Sequence, residues 1–230
     1  RGGPQPTRTS ETPPFMLHPE HNTLVLIDGH ANIHRAYHAI KDSLTNTKGE
    51  PTSAIYTFLN LFLRLYKQLK FQHVLVVFDP PGQSFRSEMF KEYKANRKAA
   101  PDDLKQQEVR IRQMLTLMNV PVLEMPGLEA DDVIGSMALH AITNGGEALI
   151  CSVDKDLLQM VRPGVRVWRE HLNKTEILDD AGVLEKLGIK PSQIPDFLAI
   201  IGDTSDNIPG VKGVGEGSAK PLLQKYGDLE

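Results

Sequence analysis

Three stretches of this chain run apolar and then stop at an aspartate: Leu24-Val-Leu-Ile-Asp28, Val74-Leu-Val-Val-Phe-Asp79 and Ala148-Leu-Ile-Cys-Ser-Val-Asp154. Short Val/Ile/Leu runs separated by segments of helical periodicity read as strands of a mostly parallel sheet, buried on both faces. Ligands of such a sheet bind beyond the carboxyl ends of its strands, so three carboxylates are expected on one rim. A fourth run, 120–123, leads into Gly127-Leu-Glu129-Ala-Asp131-Asp132, three acids opening a helix. Asp156 follows Asp154 by two residues, and Asp203 and Asp206 flank a turn in Gly202-Asp-Thr-Ser-Asp-Asn-Ile-Pro-Gly210.

Taken singly, an Asp at a strand end is an ordinary helix N-cap or turn residue, and Asp131 and Asp132 suit the positive end of a helix. Taken together, nine carboxylates on one edge raise each other's pKa and destabilise the fold unless a cation intervenes. Hard divalent ions with oxygen ligands are the natural remedy. Nine acids exceed the needs of one Mg²⁺, so two neighbouring sites are expected, about 3.5–4 Å apart as in-line attack on a phosphodiester requires.

The flanking pattern sets the architecture. Strands at 24–27, 74–78, 120–123 and 148–153 alternate with helices at 31–40, 52–70, 103–118 and 131–143, which predicts an α/β fold with helices on both sides of the sheet. The helix over 52–70 carries Ile55, Phe58, Leu59, Phe62 and Leu65 at helical spacing. Segments 165–168 and 175–178 read as a short antiparallel addition. Residues 1–22, with five prolines among Ser, Thr and Gly, read as a disordered tail. A bacterial source would place the chain in the cytoplasm, at the nucleoid; a transit-peptide remnant in the tail would allow an organelle. No run of about 18 apolar residues exists, so no membrane-spanning helix is expected. The single cysteine, Cys151, fits a reducing compartment. A net charge of −3 argues on average against a nucleic-acid partner, but the remainder is +6 once the nine candidate ligands are set aside.

Ile27-Asp-Gly29, Arg35-Ala-Tyr-His-Ala39, Val77-Phe-Asp79, Phe85-Arg86, Tyr93-Lys94 with Arg97, Gly127-Leu-Glu-Ala-Asp-Asp-Val-Ile-Gly135, Asp154-Lys-Asp156 and Gly202-Asp-Thr-Ser-Asp-Asn-Ile-Pro-Gly210 carry a resemblance to a known family. In this order, from about residue 23 to 230, they resemble the 5′ nuclease (flap endonuclease) family, and most closely the 5′-3′ exonuclease domain of bacterial DNA polymerase I. The resemblance implies a PIN-like sheet, a helical arch over 84–112 and a C-terminal helix–hairpin–helix subdomain over 186–230, after a catalytic domain over 23–185. It implies two Mg²⁺ or Mn²⁺ ions. Asp28, Asp79, Glu129 and Asp131 would form the first cluster with Asp132 beside it, Asp28 and Asp132 reaching the ion through water. Asp154, Asp156, Asp203 and Asp206 would form the second.

The same likeness assigns Lys94 and Arg97, at i and i+3 on one expected helix face, to charge on the scissile phosphate, and Arg35, Tyr37 and Arg86 to the substrate. Tyr37 would stack on a terminal base, although a boundary aromatic with a wet hydroxyl is its plain reading. Arg86, Lys91, Lys94, Arg97, Lys98, Lys105, Arg110 and Arg112 make the arch segment basic. Gly210-Val-Lys-Gly-Val-Gly215 resembles the family's hairpin, where Gly213 and Gly215 would let amides meet duplex phosphate and carbonyls hold K⁺. The implied partner is DNA with a 5′ single-stranded end or flap, met by a monomer linked to or working with a DNA polymerase.

Three departures stand out. Pro221 falls inside the helix after Gly215 and predicts a kinked or short element. Gly217 replaces a usual lysine. Val153 replaces the glycine that commonly precedes Asp-Lys-Asp. His30, His34 and His38 recur every fourth residue, a zinc-compatible spacing that reads better as a helix surface near the DNA path. Two rival readings are a catalytically weak DNA-binding module of a replication or repair protein and a PIN-type ribonuclease.

Overall fold

The computed structural model describes residues 22–40, 44–171 and 174–230. The tail expected over 1–22 therefore lies, except for Asn22, outside the described residues. Strands β1 (Thr23–Asp28), β2 (His73–Val77), β3 (Val122–Leu123), β4 (Glu147–Cys151), β5 (Val165–His171) and β6 (Lys174–Leu178) form the main sheet in the order β3-β2-β1-β4-β5-β6. Every neighbouring pair is parallel except β5 with β6. The antiparallel addition thus reduces to β6. The 13 residues between β4 and β5 are enough for a crossover, so β5 joins β4 in parallel. At the other edge β3 keeps only two residues. Val120 N–H caps the preceding helix on Leu115, and Pro121 offers the sheet a carbonyl, to Val76, but no N–H.

Alternate residues of each strand enter two cores. Val25 and Ile27 of β1 pack under α1 (Gly29–Ala39), α2 (Ser53–Leu69) and α4 (Asp102–Leu117). Leu26, with Ala148 and Ile150 of β4, packs under α5 (Ala130–Thr143), α6 (Asp180–Leu187), α7 (Ile194–Ile201) and α8 (Glu216–Tyr226). The buried face of α2 is Ala54, Phe58, Leu61, Phe62, Leu65 and Leu69, with Ile55 and Leu59 only partly covered. No helix among the described residues is long and apolar enough to cross a membrane.

The segment 84–112 divides in two. Its first half holds the five-residue α3 (Phe85–Met89) and a run of turns over 91–96. Its second half belongs to α4, whose Leu104, Gln107, Ile111 and Leu115 are buried. The Gln107 side chain accepts the Ala54 N–H at 2.8 Å, locking α4 onto α2. The second half packs as part of the core, because α4 has an apolar face that must be covered.

Close approach decides two glycines. A Cβ on Gly29 would stand 2.5 Å from the fully buried Phe78 ring, and one on Gly210 would stand 2.3 Å from the Ile201 carbonyl carbon. The first contact draws the ends of β1 and β2 together. The second closes the small hairpin of β7 (Gly202–Asp203) and β8 (Ile208–Pro209) that presents Asp203 and Asp206.

Of the kinked or short helix expected, the short form is not found: α8 runs for 11 residues through Pro221. Ala219 and Leu223 are buried, and Gln193 Nε2 donates to the Leu223 and Gly227 carbonyls, so tertiary contacts outweigh the missing N–H. Pro221 itself is exposed. Pro221→Ala restores a helical donor and is expected to raise unfolding stability by about 1–3 kcal/mol, read as a higher urea midpoint at unchanged slope. A lower midpoint would mean that the proline is fully accommodated.

Candidate active site

The sheet reverses direction of growth between β1 and β4, since β2 and β3 lie on one side and β5 and β6 on the other. At the carboxyl end of this switch point lies a cavity of about 350 Å³. Asp28, Asp79, Glu129, Asp131, Asp154, Asp156 and Asp206 line it, together with His30, His34, Lys94 and Arg97. Asp132 and Asp203 stand outside that lining. Seven of the nine predicted acids therefore share one cavity.

The three strand-end acids are also fastened to the fold. Asp28 is buried and caps α1, its Oδ1 accepting the Ala31 N–H at 3.0 Å while its Oδ2 accepts the Ser152 hydroxyl at 2.7 Å. The same Ser152 oxygen accepts the Asp154 N–H at 3.0 Å, tying the first acid to the third strand end. Asp79 Oδ1 accepts the Ala130 N–H at 2.7 Å and so anchors the start of α5, which carries Glu129, Asp131 and Asp132. Asp154 Oδ1 accepts the Asp156 N–H at 2.9 Å, turning the second acid of that pair inward. The N-cap and turn readings of these residues hold beside their convergence.

Cations neutralise part of the cluster. Lys94 Nζ lies 2.8 Å from Glu129 Oε2, and Arg97 Nη2 lies 2.6 Å from Asp206 Oδ1. The Tyr93 hydroxyl stands between Glu129 Oε2 at 2.9 Å and Asp206 Oδ2 at 3.0 Å. Lys94 and Arg97 do not share a helix face as expected. Residues 91–96 form turns, and Lys94 sits at φ +56°, which an α-helix does not allow. Both side chains reach the cavity because the Lys94 N–H bonds to the Asp206 carbonyl and Asn96 Nδ2 to the Thr204 carbonyl, docking the turn on the 204–207 loop.

The remaining acids lack such relief. Burial, then the charges of Asp28, Asp154 and Asp79, push the Asp131 carboxyl up to about 8. Burial, then Asp154 and Asp203, raise Asp156 to about 6, and its buried Oδ1 has no hydrogen-bond partner. Burial likewise raises Asp28 to about 6 against its two hydrogen bonds. Among the described residues no three acid, imidazole or thiol groups already stand as a finished ligand set. The donor chemistry nevertheless fits hard divalent ions: oxygen ligands crowded in one cavity, with an orphaned carboxylate oxygen among them.

Other predicted residues are used differently. Arg35 donates to the backbone carbonyl and carboxylate of buried Glu170, which Arg64 also binds, so its charge is spent inside the fold. The Tyr37 hydroxyl bonds to both Asp103 carboxylate oxygens, at 2.9 and 3.0 Å, linking α1 to α4. Arg86 grips Asp132 with two bonds of 2.7 Å, and Asp203 accepts from Ser205. Gly213 and Gly215 form an exposed turn before α8, Gly213 at φ +83°. Arg110 pairs with Glu50, and Arg112 with Glu108 and Glu124. Sequence reading passed over Ser152, Asn32, which donates to the Asp28 and Cys151 carbonyls, and buried Arg169, which holds the Val153 carbonyl at 2.7 Å. Their one signal is position, on or beside the strands that end in acid.

Asp131, Asp156 and Asp28 all titrate above the ordinary carboxylate range when folded. Each therefore contributes stability that is present at low pH and lost as pH rises through its folded value. Glu129, Asp132 and Asp203 shift downward and lose their contribution only on acidification. In EDTA the melting temperature is expected to fall from about pH 5 to about pH 8, and Asp131→Asn should flatten that fall. An identical pH slope in the variant would remove Asp131 from the crowded set.

Residues 23–188 match the family model "5′-3′ exonuclease, N-terminal resolvase-like domain", and residues 189–230 match "5′-3′ exonuclease, C-terminal SAM fold". The 5′-3′ exonuclease of Aquifex aeolicus is 41% identical over 208 residues, covering 90% of this chain and 71% of that protein. DNA polymerase I of Deinococcus radiodurans is 46% identical over 209 residues, 91% of this chain, which spans only 21% of the polymerase. A structure of T5 5′-exonuclease with bound zinc shares the fold at TM-score 0.70 and 22% identity, covering 90% of this chain and 76% of that one. With both family models matched in sequence from Thr23 to Glu230, this chain belongs to the 5′-3′ exonuclease family.

Proposed function

We propose that the chain hydrolyses DNA phosphodiester bonds at 5′ ends or flaps with two Mg²⁺ or Mn²⁺ ions, leaving 5′-phosphate and 3′-hydroxyl ends. The observation that carries this reading is the gathering of seven carboxylates in one cavity with Lys94 and Arg97 beside them. Asp79, Glu129 and Asp131 are the candidate ligands of one ion, and Asp154, Asp156 and Asp206 of the other. Asp28 has its oxygens held by Ala31 and Ser152, Asp132 has both held by Arg86, and Asp203 has Oδ1 held by Ser205; these three act from one layer back. What such ions supply when bound is polarisation of the attacking water and neutralisation of the departing oxygen.

The chain's own part is binding and orientation. Lys94 and Arg97 now neutralise Glu129 and Asp206; with that charge met by divalent ions, the two side chains can turn to the scissile phosphate. Tyr93 holds the acids of the two candidate sites in fixed relation through its hydroxyl. The exposed 210–215 turn ahead of α8 offers amides to duplex phosphate and carbonyls to K⁺. Relatedness to DNA polymerase I supports action next to a polymerase, within or beside the same polypeptide, in replication or repair.

A 5′-labelled flap duplex in Mg²⁺ tests the reading. Asp79→Ala and Asp154→Ala should each lower cleavage by at least about 100-fold, and Lys94→Ala by about 10²–10³-fold, while gel-shift affinity for the DNA persists. Full turnover in the aspartate variants, with EDTA inert, would overturn the mechanism. Retention of DNA without products in the wild type would favour a binding module, and preferential cutting of a matched RNA flap a ribonuclease.

A further inference from the structure

His30, on the first turn of α1, lines the cavity but belongs to neither acid cluster. Its Nδ1 accepts the Asp79 N–H at 3.0 Å. That bond falls where the sheet stops supporting the chain. The preceding N–H, of Phe78, still reaches Leu123 across the sheet edge, but Pro80 and Pro81, which follow Asp79, have no N–H to give. The His30 ring is thus the partner of the only backbone donor between Phe78 and Gly82. With Asp79 Oδ1 engaged by Ala130, the position of this backbone sets where Oδ2, 3.4 Å from His30 Nδ1, points.

The ring is itself fixed. A nitrogen that accepts a backbone N–H carries no proton, so the neutral imidazole bears its proton on Nε2, which faces Glu108 Oε1 at 3.3 Å. Glu108 is held in turn by Arg112 at 3.0 Å, one turn along α4. The ring also packs edge-on against Phe78, with centroids 5.3 Å apart.

We propose that His30 is a positioning residue for Asp79, its Nδ1 aiming that carboxylate and Glu108 selecting the tautomer that can do so. The inference rests on the proposed metal-dependent function and adds a residue to it. Mn²⁺ binding, followed by the loss of the free-ion electron paramagnetic resonance signal, tests it beside flap cleavage at graded Mg²⁺. His30→Phe keeps the ring packing without the acceptor and is expected to weaken Mn²⁺ affinity about 10-fold and to raise the Mg²⁺ requirement in step. His30→Asn, whose Oδ1 stands where Nδ1 stood, should restore both to within about threefold, and His30→Gln, which reaches only toward Glu108, should not.

Glu108→Leu should weaken binding in the same direction and Glu108→Gln, which still accepts the Nε2 proton, should spare it; this pair decides the matter if His30→Phe fails to fold. Wild-type affinity in both His30→Phe and Glu108→Leu would overturn the inference, as would equal losses in His30→Asn and His30→Gln. If those losses fail to appear while Asp79→Asn still weakens Mn²⁺ binding, only the role of His30 falls. Absence of Mn²⁺ binding and flap cleavage in the wild type would instead sink the functional reading itself.

Discussion

Repulsion among carboxylates is the interaction around which this molecule is arranged. Seven acids line one cavity, and burial makes their mutual repulsion stronger than it would be in water. Where a cation or hydrogen-bond donor is at hand, as for Glu129, Asp132 and Asp203, the carboxyl stays in its charged form. Where none is, as for Asp131, the proton is held well into the neutral range. A fold that tolerates such a cluster must hold it by backbone and side-chain bonds from behind. Ser152, Asn32 and Arg169 do that, each buried and each fastening a strand end or the loop beyond it.

Topology produces the crowding. Parallel strands that diverge from a central pair leave a gap at their carboxyl ends, and here the residues entering the gap are Asp28, Asp79 and Asp154. The contact of Gly29 with Phe78 narrows the spacing of the first two ends. The same aspartates cap α1, anchor α5 and turn the chain after β4, so their structural and chemical duties coincide. Asp79 and Asp154 each have Oδ1 engaged by a backbone N–H, which limits where Oδ2 can point.

The basic residues sort by what they can still do. Arg35, Arg110 and Arg112 are spent on Glu170, Glu50 and the Glu108–Glu124 pair, and they hold α1, α2, α4 and the sheet edge together. Lys94 and Arg97 face the cavity and exchange partners most easily, since their present partners are candidate metal ligands. Counting charge along the sequence does not separate these groups; the small net charge conceals cations at the site and cations engaged in salt bridges.

Much of this is legible in the amino-acid sequence. Apolar runs ending in Asp specified strands, rim and acid set, because a two-sided buried strand needs continuous apolar residues and its polar stop is conspicuous. Four helices fell within two residues of their expected bounds, since amphipathic spacing is a local property. What only the tertiary structure decided depends on residues distant in sequence. Arg35 and Tyr37 are expected from the sequence to face substrate, yet Glu170 and Asp103, 135 and 66 residues away along the chain, engage the Arg35 guanidinium and the Tyr37 hydroxyl. The parallel register of β5, the docking of α4 as core and the survival of α8 through Pro221 follow from which surfaces meet, and meeting surfaces have no period in the sequence. Sequence alone picked out nine acids; the packed fold decided that seven of them line the cavity and which keep a free oxygen, because hydrogen-bond partners are assigned by proximity in space.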